Sequence, residues 1–231
     1  MRKIMSCFLA VLLMIFPNLS HAQTEKDILS EIDECYRTRD FSGMISICEN
    51  AKPSYASTQK ILELAIEGAE VYANCEASTD PVTKAKYIEY KGLDTSYEDI
   101  SIYPYYKDVT LHFTVGFVAD SWVFFDHVYI ASDNPDFDSI SFYFGGDTSH
   151  KVLSNGNVLE RGDRSSIILE KDELDTLKSS GNFFIRFLNY STDEYIDRPL
   201  SQTEVDSLYT FGMLEYIHRE YQEIFYEYYY K

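Results

Sequence analysis

The stretch "VTLHFTVGF" (Val109–Phe117) decides the fold of this chain. Its apolar side chains recur at every second residue: Val109, Leu111, Phe113, Val115 and Phe117. The positions between them hold Thr110, His112 and Thr114, which are polar. A period of two predicts a β-strand with one buried face, and such a face needs a second layer of structure to cover it.

The segments after this strand predict an antiparallel sheet or sandwich. Four of them predict strands: "SWVFFDHVYIAS" (121–132), "DSISFYF" (138–144), "RSSIILE" (164–170) and "NFFIRFLN" (182–189). The first is apolar on both faces, which is typical of a central strand. Asn155-Gly156 predicts a tight hairpin turn. These segments indicate about six to eight strands. "KDELDTLKSS" (171–180) predicts a short helix among them.

The chain before this sheet is helical. Thr24 with Asp27 resembles a capping box that opens a first helix, and Pro53 ends a second one. The segment from Ser54 to Ser78 predicts the third helix. "STDPVTKAK" (78–86) then predicts a hinge, so we divide the chain into a helical region, 23–80, and a β-rich domain, 81–231.

The last helix ends in the aromatic stretch "EYIHREYQEIFYEYYYK" (215–231). Ser201 and Glu204 form a capping box at its start. Its apolar stripe consists of Val205, Leu208, Leu214, Ile217, Tyr221, Ile224 and Tyr228. Because the remaining faces are acidic rather than basic, we expect this stripe to pack on the sheet instead of lying on a membrane. The predicted fold class is therefore α+β, with this long helix on the sheet.

The first 22 residues have the pattern of a signal peptide. Arg2 and Lys3 precede the apolar run Cys7–Phe16, and Ser20-His21-Ala22 offers small residues at a cleavage site. We expect cleavage after Ala22 and a secreted or periplasmic protein, with no membrane insertion after cleavage. An uncleaved anchor is the alternative, although an apolar run of this length is short for a bilayer.

The chain is strongly acidic. Its formal net charge is −18, and the 18 basic and 38 acidic residues left after loss of Arg2 and Lys3 give −20. Such a surface repels phosphate backbones and anionic membranes, so we expect no nucleic-acid binding. It favours a basic protein partner, or it is only a solvated surface without a specific partner.

Three cysteines remain after cleavage, namely Cys35, Cys48 and Cys75. In an oxidising compartment, one disulfide and one free thiol are the simplest arrangement. If three helices run up, down and up, Cys35 and Cys75 fall toward one end, which favours a Cys35–Cys75 disulfide. Three buried thiols are the alternative.

No motif for a catalytic nucleophile, a phosphate loop or a zinc site occurs, so we predict no catalytic residues, no cofactor and no enzyme activity. The loop "SDNPDFDS" gathers Asp133, Asp136 and Asp138, whose oxygens suit calcium, although an acidic turn between strands is the default interpretation. Arg161-Gly162-Asp163 is expected in a turn between strands, and Asn189 begins a glycosylation sequon.

Four segments together resemble a pattern of exported bacterial proteins: "WVFFDHVYIASDN" (122–134), "VLSNGNVLERGD" (152–163), "FFIRF" (183–187) and "LSQTEVDSL" (200–208). The pattern is a tryptophan-containing strand, a turn, an Asn-Gly hairpin followed by Glu, an Ile-Arg strand and a final helix. The resemblance covers about residues 109–215. It implies an exported β-sheet module with no assigned activity and no active site.

These observations predict an exported, non-catalytic module that binds a protein partner through a sheet edge, loops or a tyrosine-rich surface. One version is a periplasmic inhibitor or immunity protein whose acidic charge steers a basic partner. A second class is a carboxylate-dependent hydrolase of envelope glycans, which requires two carboxylates in a cleft. A structural envelope component is the third.

Overall fold

The computed structural model describes residues 23–93, 101–135, 137–145, 148–165, 167–178 and 181–230. The predicted signal peptide, residues 1–22, lies outside these ranges. By their internal contacts the described residues divide into two compact units, one of residues 23–65 and 223–230 and the other within residues 66–222. The division at residues 80–81 expected from the sequence stays a prediction.

The first unit is helical. It contains helix α1 (Glu25–Arg37), helix α2 (Phe41–Asn50), the first part of helix α3 (Ala56–Tyr72) and the end of a helix described below. The Thr24 capping box predicted for α1 is confirmed, since Thr24 Oγ1 accepts from the Asp27 N–H and Asp27 accepts from the Thr24 N–H. Buried apolar side chains form its core: Ile28, Leu29, Ile32, Tyr36, Phe41, Met44, Cys48, Ile61 and Ala65.

The described residues of the second unit form ten antiparallel strands in two sheets, more than the six to eight expected from the sequence. They are β1 (Cys75–Thr79), β2 (Lys86–Tyr90), β3 (Ile102–Lys107), β4 (Thr110–Ala119), β5 (His127–Ser132), β6 (Ile140–Tyr143), β7 (Thr148–Val152), β8 (Val158–Ser165), β9 (Phe183–Asn189) and β10 (Glu194–Pro199). The six-stranded sheet has the order β1-β2-β3-β4-β8-β7, and the four-stranded sheet has the order β10-β9-β5-β6. A short helix, α4 (Lys171–Leu177), precedes β9, as predicted.

The two sheets pack face to face through phenylalanine rings. Phe113 on β4 lies 4.9 Å from Phe142 on β6, and Phe117 on β4 lies 4.8 Å from Phe187 on β9, measured between ring centroids. Leu111, Phe113, Val115 and Phe117 are all buried, so the alternation in the opening stretch gives the inward face of β4. Val109 is instead exposed, because it lies in the turn before β4.

The long helix α5 (Gln202–Tyr229) packs on the sheets, as predicted. Phe211 contacts Tyr106 of β3, and Tyr106 Oη donates to Glu215 Oε2 at 3.1 Å. Glu204 has a further role beyond the predicted capping box. One of its oxygens accepts from Ser201, and the other accepts from the N–H groups of Ser101 and Ile102. This buried carboxylate therefore joins the start of α5 to the start of β3.

The following four local predictions are wrong. The third helix ends at Tyr72, and the predicted hinge belongs to the β1–β2 hairpin, where Asp80 accepts from the N–H groups of two turn residues. "RSSIILE" forms no strand over its described residues beyond the end of β8 at Ser165. Arg161-Gly162-Asp163 lies within β8 and not in a turn, because its backbone pairs with both β4 and β7.

Candidate interaction surface

The connection between β4 and β5 presents two aromatic side chains, Trp122 and Phe124; we call residues 121–126 the aromatic loop. The sequence predicted a strand here, but only His127 onward pairs with neighbouring strands. Val123 and Phe125 are buried, whereas Phe124 keeps 54% of its surface exposed. The apolar run "WVFF" therefore divides between the core and solvent.

A buried carboxylate holds the backbone of the aromatic loop. Glu160 lies on β8 between the sheets and is 0% exposed. Its two oxygens accept hydrogen bonds from three consecutive N–H groups, those of Val123 at 2.5 Å, Phe124 at 3.0 Å and Phe125 at 3.2 Å. Consecutive N–H groups that converge in this way form an anion-binding concavity, and here the anion is a side chain of the same chain.

The carbonyl groups of the same loop are also bound. Asn189 Nδ2, at the end of β9, donates to the Val123 carbonyl at 3.2 Å and to the Phe124 carbonyl at 3.1 Å. The Asn189 Oδ1 atom meanwhile accepts from two N–H groups of the β9–β10 turn. The sequon asparagine thus has a structural role, and donors and acceptors of the loop are fixed from two strands.

Phe124 adopts a left-handed backbone conformation, with φ of 55°. An L-residue with a Cβ is disfavoured there by about 1–2 kcal/mol, and aromatic residues rarely adopt it. Such a conformation persists only where the surroundings impose it, and it is concentrated at functional sites. Glu160 and Asn189 supply that constraint.

The rings of the loop form one cluster with a histidine of the six-stranded sheet. Trp122 and Phe124 are stacked with centroids 5.7 Å apart, and His150 on β7 lies 5.5 Å from Trp122 and 5.1 Å from Phe124. His150 Nε2 also approaches Glu160 Oε2 at 3.6 Å. These three rings form an aromatic surface, and the backbone of the loop beneath it is hydrogen-bonded to Glu160 and Asn189.

A second aromatic surface covers the outward face of the four-stranded sheet. The strand register aligns Tyr195, Leu188, His127 and Tyr143 in one row across β10, β9, β5 and β6. Tyr190 in the β9–β10 turn lies beside this row, with its ring 5.2 Å from that of His127. We call Tyr143, His127, Tyr190 and Tyr195 the tyrosine face.

Polar contacts fix the centre of the tyrosine face. Asp126 Oδ1 lies 2.8 Å from His127 Nδ1 and accepts from the Tyr190 N–H at 3.0 Å. Partial burial alone would raise the pKa of Asp126, but these hydrogen bonds outweigh burial and lower the pKa. Tyr143 lies over Gly145, where a Cβ atom would come within 2.5 Å of the ring.

The structure does not test the calcium prediction. Asp133 follows β5 and accepts from Asn182 N at 2.8 Å and from Asn182 Nδ2 at 2.7 Å, and these bonds lower the pKa of Asp133. Asp138 is exposed, and Asp136 lies outside the described residues. Among the described residues, no group of three or more His, Cys, Asp or Glu side chains is placed to hold a metal ion.

The three cysteines are free thiols in the structure. Cys35 belongs to the first unit, where its sulfur lies against Gly43 of α2, and Cys75 begins β1 in the second unit. Burial raises the pKa of Cys48 to about 11 and that of Cys75 to about 12. The Cys35–Cys75 disulfide stays a prediction, which peptide mapping without reductant would test.

Comparison with known proteins finds no match for this chain among protein-family models, curated proteins or solved structures. Among the helices that the structure describes, none is both long enough and apolar enough to cross a membrane. The interpretation of the two aromatic surfaces therefore depends on their own geometry.

Proposed function

We propose that this chain is an exported, non-catalytic module that binds a protein partner, with the aromatic loop as its anchor. The proposal depends on the exposure and the backbone conformation of Phe124. This residue is an exposed phenylalanine in a disfavoured backbone conformation, and a fully buried carboxylate maintains that conformation.

A loop of this kind has the features of a binding hot spot. Hot spots are enriched in tryptophan and other aromatic side chains that fill a pocket of the partner. Because Glu160 and Asn189 already bind five backbone groups of the loop, little conformational entropy is lost when a partner covers it. Phe124 contacts Trp122 and His150, yet it keeps 54% of its surface exposed at φ of 55°, and a binding role explains that exposure.

The charge of the chain indicates the kind of partner. With a net charge of −18 before export, the protein attracts a basic partner at long range and repels nucleic acid. We therefore expect the association rate to fall as salt is raised, while contacts of the aromatic loop determine the dissociation rate. An inhibitor or immunity role against a basic envelope protein fits both expectations.

The proposal is tested on the full chain, purified after export and used to capture a partner from an envelope extract of the source organism. The captured protein is then purified, and its affinity is measured for the wild type, Trp122→Ala and Phe124→Asn. We expect both variants to bind at least about ten-fold more weakly, as for hot-spot truncations.

Tyr226→Leu is the matched control, because Tyr226 is 68% exposed and lies near the end of α5, away from the loop in sequence. We expect it to bind within about two-fold of the wild type, as for an exposed residue outside the hot spot. A partner that binds Trp122→Ala and Phe124→Asn as tightly as the wild type would contradict the proposal.

A further inference from the structure

The tyrosine face carries aromatic side chains where the solvated side of an antiparallel sheet ordinarily carries polar ones. Tyr143 is 61% exposed, Tyr190 is 66% exposed and Tyr195 is 55% exposed. We propose that the tyrosine face binds arginine or lysine side chains of a basic protein segment. This is a second surface, and the inference does not depend on the aromatic loop being the anchor.

The face already holds one cation in the proposed manner. Arg186 of β9 places its guanidinium carbon 4.2 Å from the centre of the Tyr195 ring. The same guanidinium binds both oxygens of Asp197, at 2.7 and 2.8 Å. A tyrosine ring and a carboxylate therefore bind one guanidinium group together on this sheet, because the ring face attracts cations and the carboxylate accepts two N–H hydrogen bonds.

The other end of the row repeats this combination around His127. The Tyr143 and Tyr190 rings lie 5.0 and 5.2 Å from the His127 ring, and Asp126 binds both His127 and the Tyr190 N–H. The Asp126 carboxylate therefore lies beside these two rings, as the Asp197 carboxylate lies beside the Tyr195 ring. Two exposed tyrosine rings next to this carboxylate provide the chemistry that Arg186 uses at Tyr195.

The charges around the face complement a basic segment. The sequences of β5, β6, β9 and β10 contain no lysine. Of their two arginines, Arg186 is bound to Asp197, and Arg198 donates to the Val118 carbonyl on the six-stranded sheet. Arg164, from β8, donates to the backbone carbonyl of Tyr143 at 3.3 Å rather than to a carboxylate of the face. Asp193 in the β9–β10 connection and Glu194 at the start of β10 add acidic charge.

The probe for this inference is a fluorescein-labelled hexa-arginine peptide, with hexa-glutamate as the control peptide. Anisotropy titrations at about 0.15 M salt compare the full-length exported wild type with the double variant Tyr143→Leu/Tyr190→Leu. We expect the double variant to bind hexa-arginine at least about five-fold more weakly, because it lacks two rings that attract the cation. Binding to the wild type should weaken as salt is raised, because exposed charges are screened.

Tyr226→Leu again serves as the control, because it removes an exposed tyrosine outside the tyrosine face and should bind hexa-arginine like the wild type. If the peptide were held only by diffuse attraction to the acidic chain, neither this variant nor the double variant would differ from the wild type. Both tyrosines of the double variant are mostly exposed, and a thermal melt checks that the variant is folded. In the wild type, NMR shifts of the Tyr143 and Tyr190 rings on addition of hexa-arginine provide a second measurement that needs no substitution.

Three results would overturn the inference. In the first, the double variant binds hexa-arginine with an affinity within two-fold of the wild type, or Tyr226→Leu loses as much affinity as the double variant does. Another is equal binding of hexa-glutamate. The third is a wild-type dimer in sedimentation velocity that the double variant abolishes, because a second copy would then cover the face. Loop variants that bind the partner as tightly as the wild type would contradict the proposed function but leave these three results unaffected, so failure of the proposed function is recognised separately.

Discussion

Replacing Glu160 tests whether a buried carboxylate organises the aromatic loop. In Glu160→Ala, the three N–H groups of Val123, Phe124 and Phe125 lose the carboxylate that accepts their hydrogen bonds. A buried N–H group without a partner costs about 1–3 kcal/mol. Because the loop lies near solvent and can take up water, we expect a total loss of about 3–5 kcal/mol rather than the full sum.

Glu160→Gln separates charge from shape. Its single carbonyl oxygen can still accept from Val123 and Phe124, which share Oε1 in the wild type, but its NH₂ group faces the N–H of Phe125. We expect this variant to lose about 1–3 kcal/mol, less than Glu160→Ala. Glu194→Ala is the control at an exposed glutamate, with an expected change within about 0.5 kcal/mol.

Urea denaturation followed by the fluorescence of Trp122, the single tryptophan of the chain, gives the free energies of unfolding. Amide hydrogen exchange of residues 123–125 adds a local measurement, because these amides should exchange much faster in Glu160→Ala than in Glu194→Ala. A loss below about 1 kcal/mol in Glu160→Ala, with unchanged exchange of these amides, would refute the reasoning.

Three further predictions concern stability. The free energy of unfolding of Phe124→Asn, from thermal denaturation, should lie within about 1 kcal/mol of the wild type, because asparagine adopts the left-handed conformation more readily and this offsets the lost ring contacts. A loss above about 2 kcal/mol would show that the ring stabilises the fold. Glu204→Ala should lose about 2–4 kcal/mol in urea, since it leaves the N–H groups that begin β3 and α5 without their acceptor, and a neutral result would contradict that role. In the reduced protein, burial raises the pKa of Cys48 to about 11 and that of Cys75 to about 12, whereas the thiols of the unfolded chain have a pKa near 9. The two buried thiols should therefore stabilise the fold fully below about pH 9 and progressively less as the pH rises toward 12. Urea midpoints of the wild type and Cys48→Ala/Cys75→Ala should therefore converge at high pH, and a constant difference would contradict the shift.

Much of the fold could be predicted because its signals are local. The alternation of β4 identifies its inward face, and the capping boxes at Thr24 and Ser201 locate two helix starts. The β1–β2 hairpin could not be predicted in the same way, because four of the five residues of β1 are exposed and the strand has no apolar alternation. Pairing with a neighbouring strand, rather than burial, decides its conformation.

The candidate surface depends on contacts that are distant in sequence. Glu160 precedes the Arg-Gly-Asp tripeptide in a strand where Val158 and Gly162 face inward, so an acidic residue at an inward position was the one available signal. Its partners lie more than 30 residues earlier, and no spacing rule connects them. Likewise, "WVFF" predicts a buried strand by composition, and only the contacts of Glu160 and Asn189 explain why Phe124 faces solvent.

The comparison of Phe124→Asn with Tyr226→Leu in binding to the purified partner is the most direct test of the aromatic loop as an anchor. At equal stability, we expect Phe124→Asn to dissociate at least about ten-fold faster, whereas Tyr226→Leu dissociates at the wild-type rate. Equal dissociation rates for all three proteins would mean that the strained, exposed phenylalanine does not contact the partner, and the proposed function would then have to be abandoned.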